Sequence, residues 1–294
     1  TLVERGGRVY YGWKSPVGLA RPSVNLTMPA AHAVLRQLGL PPLQVVTQPG
    51  TATGARAATL QTLRGTWGSA AGATATAWRF GVDGRFFMAE AKPFLAPTRE
   101  QSGAELGWFD HDPGSGRIST LLEVDSNLTS GTSHPGAAEA AAAFTITADS
   151  ITSGALALTR LPDDTAGIAG MWALDSANDL AVPHLVFYGT GRAMGVLHGA
   201  DADCPAGIPA AECPPGVEYA AYAFDAGSGT LTLSGLLYDT NGCSGWFRNC
   251  PTAVAAGNVN ATATLQLTRA ADGLTMTYVD GQLRVRTLHR VTPR

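Results

Sequence analysis

Hydrophobic and polar residues alternate with a period of two over much of the chain after residue 60. Residues 118–124 and 231–237 carry apolar or β-branched side chains at nearly every second position. Side chains two residues apart lie on the same face of a β-strand, so this period predicts strands with one buried face. Clusters of glycine, asparagine and aspartate between the runs predict tight turns. The pattern therefore predicts an antiparallel all-β protein.

A helical pattern occurs nearer the start of the chain. Thr27 can cap a helix that runs through residues 30–38 and stops at Gly39. Residues 9–13 predict a short strand before it, and residues 41–58 predict a linker. We expect one apolar face of the helix to need a partner surface; its members are Ala31, Val34, Leu35 and Leu38.

A fourteen-residue segment appears twice, at 103–116 and 216–229, with six identical positions and no gap. A Gly-x-Trp sequence precedes each copy, at 65–67 and 170–172, and an alternating run follows each. We therefore predict two tandem homologous antiparallel domains, each a β-barrel or a β-sandwich. The predicted units are an N-terminal strand–helix arm with linker (1–58), a first β domain (59–162) and a second β domain with two disulfide loops (163–294).

Each copy ends in Asp-x-Gly-Ser-Gly, at 112–116 and 225–229. The aspartate can accept backbone N–H groups and the glycines can adopt positive φ, so a hairpin turn is favoured. A calcium loop needs further acidic ligands and a closing glutamate, which are missing. Asp-Ser-Asn at 125–127 and Asp-Thr-Asn at 239–241 also predict turns.

Glu105 and Glu218 occupy the same position in the two copies. They can be paired internal carboxylates that contact a ligand. Alternatively, they are outward strand residues or salt-bridge partners of a nearby arginine, and we favour this second interpretation. The six histidines are not spaced i, i+2 or i, i+4, so the sequence predicts no local metal site, and we expect no cofactor.

Charge and cysteine content narrow the class of protein. Only 15% of residues are charged, the net charge is −3, and no basic cluster occurs, which disfavours nucleic-acid binding. No apolar run reaches the roughly 18 residues of a membrane span.

Four cysteines allow three pairings; we favour the local pairs Cys204–Cys213 and Cys243–Cys250. Disulfides indicate an oxidising compartment, so we expect a secreted, extracellular or periplasmic protein.

Gly-x-Trp followed by hairpins and a late arginine resembles the lipocalin and calycin pattern, as in secreted bacterial proteins with repeated β domains. The resemblance implies an eight-stranded barrel in which the tryptophan closes one end and packs on the arginine. The corresponding residues are Trp67 with Arg160, and Trp172 with Arg286 or Arg290. In the alternative sandwich, both tryptophans are ordinary core anchors.

The predicted function is a secreted or cell-surface binding or structural module without catalysis. If the domains are barrels, each can hold a small apolar or glycan ligand at its mouth. The disulfide-bounded loop 243–250 is the sharpest candidate site, although its tryptophan can equally cap the barrel. The candidate ligand-binding residues are Trp246, Phe247, Arg248, Trp108, Phe109, Tyr219 and Tyr222.

Two other classes of function stay open. A subunit of a surface layer, filament or adhesin would dock on itself or on another surface protein through residues 1–45. An enzyme would show a cavity with convergent polar groups and perturbed titratable residues. The chain begins at Thr1 and not at methionine, so we expect either a mature product or a fragment of a longer chain. An N-terminal threonine exposed by self-cleavage is the nucleophile of one hydrolase class. That class has a layered α/β fold, which a chain with one predicted helix does not fit.

Overall fold

The computed structural model describes most of the chain after residue 60 and three short strands before it. The described residues are 2–5, 8–11, 26–27, 61–81, 85–93, 95, 101–112, 116–127, 131–132, 143–162, 167–174, 183–197, 213, 216–247, 260–279 and 285–291. Their regular secondary structure is almost entirely β-strand, which confirms the predicted all-β architecture. The helix predicted at 30–38 lies outside the described residues.

The strands form three sheets. Strands β1 (Leu2–Arg5), β2 (Arg8–Tyr11) and β3 (Leu26–Thr27) make a small antiparallel sheet of their own. The next eight strands form the sheet of the first repeat, which we call the first sheet. It contains β4 Gly65–Ala71, β5 Thr74–Phe80, β6 Arg85–Ala91, β7 Gly103–Asp112, β8 Arg117–Asp125, β9 Thr145–Ile146, β10 Ser150–Ser153 and β11 Leu156–Arg160. The third contains β12 Gly170–Leu174, β13 His184–Tyr188, β14 Arg192–Leu197, β15 Gly216–Asp225, β16 Thr230–Asp239, β17 Thr262–Arg269, β18 Thr275–Val279 and β19 Val285–Arg290.

The strands β12–β19 form a closed antiparallel barrel in which each strand pairs with the next in sequence. Closure comes from β12 and β19, where Trp172 lies directly opposite Arg290. Period-two alternation sends one set of side chains into the barrel, as the sequence predicted. Of the two predicted architectures, the second domain therefore has the barrel. We call β12–β19 the barrel below.

The first sheet has the strand order β8-β7-β6-β5-β4-β11-β10-β9, so β8 and β9 are its edges. These edges meet next to β9, where Arg117 forms an antiparallel bridge with Ala143 and the Phe144 N–H donates to the Gly116 carbonyl, N···O 2.9 Å. An apolar cluster that includes Trp67 and Phe86 fills the space that the sheet encloses. The first sheet is thus an eight-stranded antiparallel sheet curled around its own core.

A second apolar cluster lies inside the barrel and a third lies between the barrel and the first sheet. In the third, outward-facing side chains of β5–β7 such as Phe87 pack against those of β12–β16 such as Val186 and Tyr219. His184 links the two units in this cluster. Its Nε2 accepts a hydrogen bond from the Arg79 guanidinium at 3.2 Å, and its ring stacks on Phe87 with centroids 4.4 Å apart. Strand β13 is therefore buried on both faces.

One end of each unit is closed by a tryptophan and an arginine. In the first sheet, the Trp67 indole N–H donates to the Leu63 carbonyl at 2.7 Å, and the Arg160 guanidinium lies 4.1 Å from the ring centroid. That guanidinium also donates to the carbonyls of Arg64 and Thr62. The predicted Trp67–Arg160 contact is confirmed.

The barrel has the same arrangement, formed by Trp172 and an arginine of β19. The Trp172 indole N–H donates to the Ile168 carbonyl at 2.8 Å, and the Arg290 guanidinium lies 4.3 Å from its ring centroid. Of the two arginines that the resemblance implied, Arg290 packs on Trp172, so Arg286 is wrong for this role. The register places Arg290 opposite Trp172, whereas Arg286 is four residues, about 13 Å, further along β19.

Candidate functional site at the mouths

The same row of neighbouring residues crosses both units, because strand register aligns them side by side. In the barrel, the row begins at Trp172 and reaches Glu218 three strands later. Strands in a barrel are tilted, so such a row climbs from one end towards the other. The full rows are Trp67, Trp78, Met88, Glu105 and Asp125, and Trp172, Leu185, Gly195, Glu218 and Asp239. We call the glutamate end of each unit its mouth.

Glu105 and Glu218 point inward and are almost completely buried, with 0% and 1% of their surface exposed. Ala104 and Leu106 on either side of Glu105 face the cluster between the two units, so Glu105 faces the opposite way. The expectation of outward strand residues is therefore wrong. Strand alternation alone does not fix which face is inside when both faces are buried.

Each buried carboxylate accepts hydrogen bonds from the loop that follows the next strand. Glu105 accepts the Thr132 backbone N–H at 3.0 and 3.1 Å and the Thr132 hydroxyl at 2.5 Å. Glu218 accepts the backbone N–H groups of Trp246 and Phe247, at 2.8 and 3.0 Å, one on each oxygen. Hydrogen bonds to a carboxylate are stronger than neutral ones. The two glutamates thus anchor the two mouth loops.

A glycine at positive φ lets each loop approach its carboxylate. Gly131 has φ 93° and Gly245 has φ 87°. A Cβ on Gly131 would lie 1.7 Å from Glu105 Oε1, and one on Gly245 would lie 2.6 Å from Glu218 Oε2. No other residue type fits either position, because both the space and the backbone angle exclude a side chain.

These loops share a sequence pattern that we missed. Residues 125–131 and 239–245 both read Asp-x-Asn-x-x-Ser-Gly without a gap. The aspartates make the predicted turns: Asp125 Oδ1 accepts the Asn127 N–H at 3.3 Å, and Asp239 Oδ1 accepts the Asn241 N–H at 3.2 Å. Aligning the segment after the first repeated motif would have revealed the glycine, although not its carboxylate partner.

Burial changes the electrostatics of the first mouth. The pKa of Glu105 is raised from its ordinary 4.5 to about 8. Desolvation by burial is the largest cause; the hydrogen bonds from Thr132 lower the pKa, and the charges of Asp125 and Glu90 add smaller increases. Removal from water disfavours the charged form of a carboxyl group. A substantial fraction of Glu105 is therefore protonated at neutral pH.

The two mouths are filled in opposite ways. Directly opposite Glu105 is Met88, a fully buried side chain, and the loop residue there is Thr132. Directly opposite Glu218 is Gly195, and the loop residue is Trp246. A Cβ on Gly195 would lie 3.2 Å from Trp246 Cη2 and Cζ3. The Trp246 ring therefore occupies, from a loop, the space that methionine occupies from a strand in the first sheet.

A small cavity remains between the Trp246 ring and the barrel core. Its volume is about 10 Å³, roughly what one water molecule needs. It is lined by Leu174, Pro183, Leu185, Gly195, Leu197, Glu218, Gly245, Trp246, Tyr278 and Leu288. The walls are apolar except for the Glu218 carboxylate and backbone groups. This cavity does not accommodate a small organic ligand while the Trp246 ring is in place.

The aromatic candidates fall into different places. Trp246 and Phe247 lie at the barrel mouth and pack, partly buried, on its core. Tyr222 also packs on that core, and its hydroxyl donates to the Tyr188 carbonyl at 3.2 Å. Phe109 is buried inside the first sheet and Tyr219 is buried between the two units, so neither is at a rim.

The side chains of the two remaining candidates, Trp108 and Arg248, are not described by the structure. Trp108 belongs to β7, but its side chain is not among the described parts, and Arg248 lies outside the described residues. The structure therefore brings Trp246 and Phe247 together at one site and separates Phe109 and Tyr219 from it.

The Asp-x-Gly-Ser-Gly segment of the barrel forms the predicted hairpin between β15 and β16. Asp225 Oδ1 accepts the Gly227 N–H at 2.8 Å, the Ser228 hydroxyl donates to Asp225 Oδ2 at 2.7 Å, and Gly229 has φ 72°. These bonds lower the pKa of Asp225, the one from the Ser228 side chain most of all. The hairpin prediction is confirmed there.

Two cysteines belong to the described part of the chain. Cys213 and Cys243 are fully buried, and neither is a free thiol. Cys204 and Cys250 lie outside the described residues. The pairing of the four cysteines therefore stays a prediction.

Within the described ranges, no helix is both long and apolar enough to span a bilayer. In the same part of the chain, no group of three or more His, Cys, Asp or Glu side chains is arranged to hold a metal ion. No family model, curated protein or solved structure matches the chain.

Proposed function

We propose that the protein is a secreted or cell-surface binding module without catalytic activity, and that it recognises a small apolar or glycan ligand at the mouth of the barrel. The proposal also includes the lipocalin-like character of the units and the two local disulfides, Cys204–Cys213 and Cys243–Cys250. Neither Cys213 nor Cys243 is a free thiol, which supports an oxidising compartment.

The observation that carries the proposal is what the mouth carboxylates do. Both oxygens of Glu218 accept backbone N–H groups of its own loop, and Glu105 is bonded to Thr132 in the same way. A general acid or base must reach the proton that it transfers to or from a substrate. These carboxylates face their own chain instead. Their arrangement supports a module that holds loops in place for recognition.

We also infer that the two units are copies of one ancestral module. The same atoms meet in both: Ser126 Oγ and Thr240 Oγ1 each accept the N–H of the residue after a strand-starting glycine, at 2.9 Å in both cases. The Trp–Arg pairs and the glutamate-held glycines repeat as well. The mouth of the second copy differs from the first in its aromatic loop, and function specific to one copy is expected there.

The test is a binding and turnover screen on the whole protein. Thermal shift and native mass spectrometry against lipids, glycans and small aromatic compounds should identify stabilising ligands. Incubation with hydrolase substrates, followed by product analysis, should show no turnover. A reaction that Glu105→Gln or Glu218→Gln abolishes in a folded protein would replace this proposal with an enzyme.

The assembly alternative depends on residues 1–45. The described part of that segment is the separate sheet β1–β3, and the apolar helix face of Ala31, Val34, Leu35 and Leu38 lies outside it. Light scattering coupled to size-exclusion chromatography separates the alternatives. A strict monomer at high concentration would remove the assembly reading.

A further inference from the structure

The first sheet and the barrel meet through the same face of corresponding strands. Each of β6, β7, β14 and β15 contributes one residue to the rows that end at the mouths, and the two flanking side chains point to the outer face. These flanking residues all belong to the cluster between the units, and each is at most 3% exposed. In the first sheet they are Phe87, Ala89, Ala104 and Leu106. In the barrel the corresponding residues are Met194, Val196, Val217 and Tyr219.

Strands also face their own counterparts across this contact. Strand β7 contacts β15, and these are the two strands that carry the mouth glutamates. Strand β5 meets its counterpart β13 through the hydrogen bond between Arg79 and His184. A contact in which two copies use the same patch against each other is isologous, as in a twofold homodimer. The contact between the units therefore has the arrangement of a homodimer interface inside one chain.

The two faces differ in the size of their residues. One outer row of the first sheet consists of Ala77, Ala89 and Ala104. The corresponding row of the barrel consists of His184, Val196 and Val217. The cores of interfaces are packed as densely as protein interiors, so a face of small residues fits a face of larger ones. Two alanine rows would leave a gap, and two barrel rows would be overpacked.

A polar contact also distinguishes pairing of unlike units from pairing of like units. The Arg79 guanidinium donates to His184 Nε2 at 3.2 Å, and the His184 ring stacks on Phe87. Val186 takes the place of Arg79 in the barrel, and Ala77 takes the place of His184 in the first sheet. Two first sheets would therefore bring Arg79 next to Ala77, and two barrels would bring His184 next to Val186. Either pairing buries a polar group against an apolar one, which is unfavourable.

We propose that these outer faces are pairing faces, each of which binds the unlike unit as one subunit binds another. The partner of each face is the opposite unit of this chain, selected by residue size and by the Arg79–His184 hydrogen bond. The association is non-covalent, and the segment that connects β11 to β12 is not needed to maintain it. The proposal is independent of ligand binding, because neither mouth takes part in it. It also means that any other protein must bind to a different surface.

The first experiment cuts the full chain between the two units. A protease recognition sequence is inserted between residues 162 and 167, in the connection from β11 to β12, and the folded protein is cleaved. Light scattering coupled to size-exclusion chromatography at micromolar concentration should give the mass of one whole chain before and after cleavage. Native mass spectrometry identifies which fragments are paired. Separation of the fragments, or a complex of two like fragments, overturns the proposal.

The second experiment places a charge in the pairing face. Phe87→Asp should separate the fragments of the cut protein, because it buries a carboxylate in an apolar interface. Val285→Asp is the matched control, since Val285 is 69% exposed, and it should leave the complex intact. If Phe87→Asp does not fold before cleavage, Val217→Asp makes the same test from the barrel side, and the cut unmodified protein needs no variant. A cut Phe87→Asp protein that stays associated contradicts the assigned face.

The third experiment exchanges residue sizes between the two faces. Ala89→Val with Ala104→Val gives the first sheet the residues that the barrel has, and Val196→Ala with Val217→Ala does the reverse. Each pair of changes should weaken association of the cut fragments at least about tenfold, by overpacking or by cavities.

In an isologous contact each pair of facing positions occurs twice with the units exchanged, so all four changes together restore the match of small and large residues. The dissociation constant of the fourfold variant should return to within about threefold of the unmodified value. Losses that simply add in the fourfold variant would show that the two units do not pair through equivalent positions. None of these outcomes bears on whether the protein binds a ligand.

Discussion

Exchanging the filling residues of the barrel mouth tests whether Gly195 and Trp246 act as one packing unit. Gly195→Met introduces a side chain whose first carbon already lies 3.2 Å from the Trp246 ring. Trp246→Thr removes that ring. Together they reproduce the Met88 and Thr132 combination of the first sheet. The double variant should therefore be more stable than the two single changes predict.

The magnitudes follow from packing. Replacing a buried aromatic ring with a small residue costs about 3–5 kcal/mol, and Trp246 is only partly buried, so we expect about 2–3 kcal/mol for Trp246→Thr. Overpacking by Gly195→Met should cost about 1–3 kcal/mol. In the double variant the methionine fills the space left by the ring, so we expect a total cost below about 2 kcal/mol. The coupling free energy is then at least about 1 kcal/mol.

Urea unfolding of the four proteins measures this coupling, with the midpoint changing and the slope staying constant. The reverse exchange in the first sheet, Met88→Gly with Thr132→Trp, is the matched control and should also show favourable coupling. Independent sites add within about 0.5 kcal/mol. Additive costs within that limit would show that the two residues do not share one space, and the opposite filling of the two mouths would be refuted.

Three further predictions follow from single contacts. Because burial raises the pKa of Glu105 to about 8, the folded protein binds more protons than the unfolded chain between pH 4.5 and 8. The free energy of unfolding should therefore fall as pH rises through that window, by at most about 5 kcal/mol, and Glu105→Gln should flatten the urea midpoint against pH. Arg290→Lys should lower the melting temperature and weaken the near-UV signal of Trp172, since a lysine cannot both stack on the ring and donate to two carbonyls; unchanged values would refute the role of the guanidinium. Gly131→Ala should cost about 3 kcal/mol or more, whereas Gly154→Ala, at positive φ in open space, should cost only about 1–2 kcal/mol; equal costs would show that the approach of Glu105 is unimportant.

Period-two alternation identified strands such as β8 and β16, because the inside of each unit is apolar. The alternation of polar and apolar residues is least visible in strands that are buried on both faces. Strand β13 reads His-Leu-Val-Phe-Tyr and shows no alternation of polar and apolar residues, since its outer face packs against the first sheet. The same burial of both faces explains why Glu105 and Glu218 were assigned to the wrong side. Nothing in a single sequence indicates that a second unit covers the outside of the first.

The arginine that packs on Trp172 also could not be chosen from the sequence alone. Arg286 and Arg290 share one face of β19, so alternation cannot choose between them. Only the pairing of β12 with β19, which closes the barrel, places Arg290 opposite Trp172. Sequence order reveals which strands follow each other but not the register between the first strand and the last.

The sequence by itself determined the all-β class, the repeated Gly-x-Trp and the hairpin at Asp225, because these depend on side-chain period and local turn chemistry. Only the tertiary structure decided that Glu105 and Glu218 are buried and hold the mouth loops. It also decided that a strand methionine fills one mouth and the Trp246 ring fills the other. The physical reason is distance along the chain: Glu218 and Trp246 are 28 residues apart and meet only when β15 pairs with β16 and the loop after β16 folds back. Contacts of that kind depend on register and packing, which no local pattern encodes.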